Sequence, residues 1–349
     1  MLLNRPVPIA AAPPPTEARR REVPRGALLL ASCAILLLLV VLSLVIGARA
    51  VPLGHVLHGL FGFTGTTDDI VVREVRVPRT LLGLLAGASL GLAGAVMQAL
   101  TRNPLADPGL LGINAGASAA VVTAISFLGV TSLTGYVWFA FLGAGFCAVL
   151  VYLIGGSRSA TPVRLALGGT AVSAALHGYI NSVQLMDSAA LDRLRFWTVG
   201  SLASATPGIV LRVAPFLLVG MVLALALARP LNSVALGDDA ARALGTDLTR
   251  TRAVSFLAIT LLCGGATAAC GPIAFVGLMI PHIVRSFTGP DLRWLLPQSA
   301  VLAAVLLLGA DIAGRVVVRP AELQVGIVTA LVGGVVFLQL VRRRKVAQL

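Results

Sequence analysis

Five polar side chains lie along one face of an apolar segment in this 349-residue chain. Their types and their spacing would let them contact a solute together. They follow one another at intervals of three, four, four and three residues within the segment at 163–184, so they share one helix face. Leaving hydroxyl, imidazole and amide groups unsatisfied in hydrocarbon costs several kcal/mol. This polar stripe therefore either bonds to other helices of the chain or lines a polar path. Its members are Thr170, Ser173, His177, Asn181 and Gln184.

Covalent chemistry has little support in the sequence. The single lysine is Lys345, and no glycine-rich phosphate loop, paired carboxylates, Ser–His–Asp set or H-E-x-x-H motif occurs. Asp311 and Arg315, four residues apart in an apolar segment, predict an ion pair with a structural or gating role, with proton transfer as the alternative. Ion-driven carriers usually hold several such carboxylates, so the energy for uphill transport is expected from a partner. His282, beside Pro281, has no second metal-type residue nearby, and we expect a structural role for it.

Composition predicts an all-α polytopic membrane protein. The chain is 57% hydrophobic and 12% charged, with a mean hydropathy of +0.94, whereas soluble domains carry roughly 25% charged residues. The net charge of +13 is typical of arginines that set the orientation of a membrane protein and contact anionic lipid, and it does not indicate nucleic-acid binding. Ten apolar segments are predicted as membrane helices, of which the eighth is short enough to be partly re-entrant. They lie at 27–47, 80–100, 110–128, 136–155, 163–184, 208–228, 253–270, 272–287, 297–315 and 325–341.

Arginines beside the first and last segments predict that both termini lie in the cytoplasm. The predicted domains are a disordered cytoplasmic tail at 1–25, a ten-helix domain at 26–342 and a basic cytoplasmic tail at 343–349. A cleaved signal peptide is the alternative for the first segment. The positive-inside rule fails in two predicted outer loops, which makes their arginines candidates for a specific role. These are Arg49, Arg73, Arg76, Arg79, Arg315 and Arg319.

Glycines in the second segment predict close helix packing. Gly87, Gly91 and Gly94 fall on one helix face, and small residues at that spacing let membrane helices approach closely. The polar turn after them, Thr101–Gly109, holds two Xaa–Pro steps that stop a helix. Another proline-containing join links the seventh and eighth segments. Its similarity to the join between the second and third segments weakly indicates an inverted repeat.

The longest predicted cytoplasmic loop, 229–252, is either a solvated linker or a docking surface. Ser233 can cap a short helix, Gly245 can end it and Asp247 can cap the next. An apolar face on the first short helix favours docking. Its residues are Leu236, Ala240, Ala243 and Leu244.

Several long motifs resemble the FecCD-like permeases of ATP-binding-cassette (ABC) importers, over about residues 27–342. They are RVPRT at 76–80, GAVMQALTRNPLADPGLLG at 94–112, LGDDAARALG at 236–245, GPIAFVGLMIPHIVR at 271–285, and PAEL at 320–323 followed by VGIVTALVGGVVFL. Two features depart from the pattern: Gln324 replaces a usual proline, and the N-terminal extension is additional.

The resemblance implies a ten-helix fold like that of the cobalamin-importer permease and a role in importing ferric siderophores, cobalamin or haem. It implies a permease dimer whose second subunit is identical or homologous, and an external substrate-binding protein. It also implies a cytoplasmic ATPase, and ATP and Mg²⁺ would bind to that subunit and not to this chain. It also implies that Arg76, Arg79 and Arg315 face outward to meet the binding protein, and that the polar stripe borders the path. The residues implied to meet the ATPase are Gly237, Asp238, Asp239, Ala240, Arg242 and Gly245.

The function predicted from the sequence is therefore that of a permease subunit in the cytoplasmic membrane, with no enzymatic activity and no cofactor or metal of its own. It would give ferric siderophores an alternating-access path at a permease dimer interface. A cobalamin or haem permease, a secondary transporter working without ATP, and a membrane-embedded enzyme are the alternatives.

Overall fold

The computed structural model describes residues 24–47, 49–130, 132–155, 162–187 and 197–346, and every regular element within these ranges is a helix. Most of the predicted N-terminal tail and the last three residues lie outside them. In chain order the helices are α1 (Arg25–Val45), α2 (Leu53–Phe61), α3 (Thr67–Thr101), α4 (Ile113–Ser126), α5 (Leu133–Ile154), α6 (Pro162–Met186), α7 (Pro207–Ala226), α8 (Ala228–Ala235), α9 (Asp238–Ala243), α10 (Leu248–Cys270), α11 (Val276–Thr288), α12 (Leu292–Val317) and α13 (Val325–Val346).

Each predicted apolar segment overlaps one of these helices. By length and composition, α1, α3, α5, α7, α10 and α12 can each cross a membrane, while α4 and most of α13 are shorter apolar helices. The eighth segment is shorter than predicted, because its first residues form an extended stretch before α11. The predicted all-α polytopic fold is confirmed.

The glycines of α3 allow close helix contacts in the bundle, as their spacing predicts. An added Cβ at Gly87 or Gly91 would lie 2.6 or 2.4 Å from backbone atoms of α12. At Gly94 it would lie 1.9 Å from the carbonyl oxygen of Gly277 in α11. Since a real side chain cannot occupy such a space, these backbones approach each other only because the residues are glycine.

Two helices begin inside the bundle rather than at its surface. Gly112, just before α4, lies against Ser173 of α6. Gly277, near the start of α11, packs against the Leu90 carbonyl of α3 and against Pro108. Both proline-containing joins therefore return into the bundle. Irregular backbone at this depth is stable only where protein or a water-filled cavity surrounds it.

The bundle has two ends that carry different chemistry. The Arg79 end holds the first turns of α3 and the last turns of α12. The Gly245 end holds α8 and α9, and the end of α3 lies beside them, since Arg102, the residue that follows α3, contacts Asp238.

Candidate functional site

The polar stripe of α6 lies at the edge of the face that the rest of the chain leaves uncovered. Thr170, His177 and Asn181 are exposed, whereas Ser173 and Gln184 are half-buried. The Thr170 hydroxyl donates to the Ala166 carbonyl (2.8 Å), and the His177 Nδ1 donates to the Ser173 carbonyl (2.6 Å). Neither bond joins α6 to another helix.

The middle of the uncovered face of α6, beside the stripe, consists of small side chains, and the exposed Leu167 and Leu185 lie toward its two ends. Within the described part of the chain, nothing lies within 4 Å of the position that a Cβ at Gly178 would take. The opposite face, which includes Ile180 and Val183, is buried. A face of this kind suits lipid or close packing with a second subunit. Its small residues are Ala171, Ala174, Ala175, Gly178 and Ser182.

A cavity of about 540 Å³ opens between the first turn of α4, the join before α11 and the first two turns of α13. Its wall is mostly apolar. The Asn114 side chain at the start of α4 contributes an amide, and its oxygen accepts a hydrogen bond from Thr267 at 2.9 Å. Broken helices that line a cavity are typical of transport proteins. The lining residues are Asn114, Thr198, Val199, Pro272, Ala274, Gly326, Ile327, Ala330 and Leu331.

A buried charge cluster occupies the Arg79 end. Arg79 donates to Asp311 (2.8 Å) and to Glu322 (2.7 Å). Arg315 donates through its Nε to the same Asp311 (2.9 Å) and through Nη1 to the carbonyl oxygen of Ser43 (2.9 Å). The ion pair between Asp311 and Arg315, predicted from their spacing, is confirmed, and the cluster joins α1, α3 and α12.

The three arginines expected to face a binding protein have partners inside the chain. Arg76, Arg79 and Arg315 are 5%, 6% and 2% exposed. Arg76 donates to the carbonyl oxygens of Leu44 and Arg49. A guanidinium leaves water only when acceptors replace its hydration, and here carboxylates and backbone carbonyls do so. In the isolated chain these groups are therefore not presented on the surface.

The loop at the Gly245 end has two of its three predicted caps. Gly245 has a φ of 78°, and the hydrogen bonds of a Schellman motif, each 2.9 Å, end α9 there. Asp247 accepts from the backbone N–H of Arg250 (3.0 Å) and so caps α10. The prediction for Ser233 is wrong, because Ser233 lies inside α8, and α9 begins instead after Gly237, whose φ is 110°.

Apolar side chains project from this loop into open space. Leu236 and Leu244 are 68% and 63% exposed, Ala243 is exposed, and Ala240 is half-buried. An open groove of about 690 Å³ lies beside Leu244, between α7, α8 and α10. Beneath the loop is a small apolar core. It consists of Val234, Ala241 and Leu248.

The two acidic residues that begin α9 have different surroundings. Asp238 bonds to Arg102 at the end of α3, and to Arg252 of α10 at 2.7 Å. Asp239 has a fully exposed side chain and bonds at 2.9 Å to Arg242, in its own helix.

The loop is also fixed to the start of α12. The Asn232 amide donates to Asp291 (2.8 Å), and its oxygen accepts from the backbone N–H of Leu292 (3.0 Å). The Arg293 guanidinium, which bonds to the Asp291 carboxylate, holds the pKa of that carboxyl well below its usual range, so Asp291 stays charged at neutral pH.

Sequence reasoning missed the residues that connect distant parts of the chain. Arg102, Asn232, Arg252 and Glu322 received no individual role from the sequence, and their partners are 14 to 243 positions away. No spacing rule within one helix could have identified them.

Comparison with known proteins gives one consistent result. The chain matches the FecCD transport family over residues 35–343. It is 48% identical to the ferric enterobactin transport system permease protein FepD of Escherichia coli (strain K12), covering 87% of this chain and 91% of FepD. It is 40% identical to the iron(3+)-hydroxamate import system permease protein FhuB of Bacillus subtilis (strain 168), covering 87% and 80%. A solved inward-facing structure of an ABC transporter assigned to the metal-chelate type superposes with a TM-score of 0.79 at 28% identity, covering 91% of this chain and 99% of that one.

Proposed function

This chain belongs to the FecCD transport family, and on that premise we propose that it imports ferric siderophores. It is a membrane permease subunit of an ABC importer and catalyses no covalent reaction. Such an importer also contains an ATPase and a partner permease. The observation that carries the proposed cargo is the similarity to FepD, whose name states ferric enterobactin as its substrate.

The cargo is tested by uptake into vesicles that hold the purified importer, its ATPase and its binding protein. Catecholate and hydroxamate siderophores loaded with radioactive iron are compared with cobalamin and haem. We expect iron uptake that requires ATP hydrolysis. Cobalamin or haem uptake alone would contradict the siderophore cargo, and uptake that persists with an ATPase unable to hydrolyse ATP would favour the secondary-transporter alternative.

The proposed translocation path runs along the polar stripe of α6 and past the 540 Å³ cavity. The uncovered small-residue face of α6 supports a second permease, identical or homologous, packing there. Thr170, Ser173, His177, Asn181 and Gln184 would then border the seam between the two subunits. A polar wall without fixed charge binds a hydrophilic chelate weakly, which suits passage rather than retention.

Single cysteines along α6 test this path. We expect a water-soluble thiol reagent to label cysteines at Thr170, His177 and Asn181 in the assembled importer, and labelling should change when the ATPase binds ATP. Cysteines at Ile180 and Val183, which are buried in the same helix, should stay unlabelled. The cysteine already present at Cys33 is exposed and is first replaced by serine. Equal labelling of both sets would show that the stripe does not line the path.

The proposed ATPase contact is the surface at the Gly245 end formed by Leu236, Leu244 and the exposed side of α9. Two exposed leucines beside charged groups are typical of a protein interface. The proposed coupling segment comprises Gly237, Asp238, Asp239, Ala240, Arg242 and Gly245. Its exposed residues would contact the ATPase, and this end would face the cytoplasm.

Gly245→Val tests the coupling contact. The position has a φ of 78° and open space around it, so a valine meets no neighbour but strains the backbone by about 1–3 kcal/mol. The last turn of α9 should distort, and ATP-driven uptake should fall about ten-fold while membrane insertion is retained. Gly245→Asn is the matched control, because asparagine tolerates this conformation. Normal uptake by a well-expressed Gly245→Val protein would refute the docking proposal.

The Arg79 end is the proposed outer face, where a substrate-binding protein docks. Support comes from an excess of arginine over carboxylate among Arg76, Arg79, Arg315, Asp311 and Glu322. Acidic side chains of the binding protein would compete with Glu322 for Arg79. Both termini would then lie in the cytoplasm, with the tails at 1–25 and 343–349 flanking a membrane domain at 26–342. Docking that is insensitive to salt would contradict this assignment.

A further inference from the structure

The carboxylate of Asp238 joins three helices. One oxygen bonds to Nη2 of Arg102, which ends α3, and the other bonds at 2.7 Å to Nη2 of Arg252, in the second turn of α10. The side chains of Arg252 and Asp238 are only 20% and 30% exposed. Both carboxylate oxygens are therefore occupied within the chain by charge-assisted hydrogen bonds, which are stronger than neutral ones.

Asp239, the next residue, provides the natural comparison. Its side chain is fully exposed and its bond is to Arg242, within α9 itself. Consecutive residues of a helix point in directions about 100° apart. One acidic residue of α9 thus faces the bundle, while its neighbour faces away from it.

The helices joined by Asp238 lead to the two re-entrant joins. α3 continues through its polar turn into α4, and α10 continues through the extended stretch into α11. Near the end of α3, the Gln98 amide also donates to the Leu278 carbonyl of α11 at 2.9 Å. A shift of α9 carried through Asp238 would therefore act directly on the polar turn that leads into α4, and would reach the join that borders the 540 Å³ cavity along the length of α10.

Without the bridge, α9 has a weaker attachment to the bundle. The small apolar core of Val234, Ala241 and Leu248 holds α9 to α8 and to the first turn of α10, but it includes no residue of α3. The ion pair with Arg102 supplies the connection to α3.

We infer that Asp238 is a positioning residue that passes the motion of α9 to α3 and α10, and that it is not a contact for the ATPase. This inference rests on the proposed function, in which α9 docks on the ATPase. It predicts that loss of the bridge leaves the ATPase bound but separates ATP hydrolysis from transport.

The test uses the whole importer in vesicles, with iron-loaded catecholate siderophore as the probe. Asp238→Asn keeps the shape of the side chain and removes its charge, and Arg252→Gln breaks the same bridge from the other side. Arg250→Gln is the matched control, since Arg250 is an exposed arginine of α10 outside the bridge. Three quantities are measured: the amount of ATPase that co-purifies, the thermal midpoint, and the number of ATP molecules hydrolysed per siderophore imported.

We expect Asp238→Asn and Arg252→Gln to leave co-purification unchanged and to raise the ATP consumed per siderophore at least about five-fold, the lower range of measured coupling between sites. Adding Arg102→Gln to Asp238→Asn should cause little further change, because the two residues act through one bridge. Arg250→Gln should behave as the unmodified chain. If Asp238→Asn does not fold, Arg252→Gln carries the test alone.

Two results would overturn the inference. Reduced co-purification of the ATPase with an unchanged ATP ratio would make Asp238 a direct contact. Normal co-purification and a normal ratio would show that the bridge has no part in coupling. Absence of any ATPase from the unmodified complex would instead contradict the proposed function, so the two failures can be told apart.

Discussion

Asp311→Ala is expected to lower the stability of this permease more than any other single loss of charge. The variant removes the one carboxylate that Arg79 and Arg315 share, while both guanidinium groups remain buried. Removing one partner of a buried pair costs about 3–5 kcal/mol, a large part of the 5–15 kcal/mol that is typical of total stability. The thermal midpoint of the purified protein in detergent, followed by the loss of its monodisperse chromatographic peak, should fall by several degrees or more.

Glu322→Gln is the graded control for this prediction. Among the described residues, Glu322 forms an ion pair with Arg79 alone, and its side chain is 30% exposed, so water can replace part of the lost contact. Its midpoint should fall much less. Asp239→Asn, at a fully exposed position, should leave the midpoint unchanged. Equal midpoints for Asp311→Ala and Asp239→Asn would show that the buried cluster does not stabilise the bundle.

Gly94→Leu is expected to prevent normal assembly of the bundle. Even a methyl group at Gly94 would sit 1.9 Å from the carbonyl oxygen of Gly277, and a backbone atom cannot rotate away as a side chain can. α3 and α11 would have to separate where α11 begins inside the protein. Overpacking by smaller groups already costs about 1–3 kcal/mol, so we expect little folded protein from Gly94→Leu and a lowered thermal midpoint for Gly94→Ala.

Gly145→Ala is the matched control, because Gly145 lies in the membrane helix α5 and its nearest neighbour, Thr260, would be 3.9 Å from the new methyl group. Alanine also favours a helix by about 1 kcal/mol relative to glycine. Gly145→Ala should therefore be as stable as the original chain or slightly more so. A Gly94→Ala protein with the same midpoint as Gly145→Ala would contradict the close contact between α3 and α11.

The sequence by itself determined the features that depend on neighbours along the chain. Apolar segments of membrane length identified the helices of the bundle. The spacing of Gly87, Gly91 and Gly94 identified the face of close packing, and Asp311 and Arg315 were recognised as a pair from their interval. Gly245 and Asp247 were recognised as caps because cap chemistry is local. The error at Ser233 has the same origin, since a serine that can cap a helix can also lie within one.

The tertiary structure alone decided which groups meet across long separations. Three arginines that charge patterning places on the outer face are buried, because carboxylates and carbonyls of α1 and α12 replace their water. Asp238 and Asp239 are equivalent in sequence, yet only Asp238 reaches Arg102, 136 positions away. The interior start of α4 was equally hidden, whereas the shortness of the eighth segment had already indicated a partly re-entrant α11. The hydropathy of a residue describes its preference for water or an apolar environment, whereas its burial and its bonding partners depend on which other residues the fold places beside it.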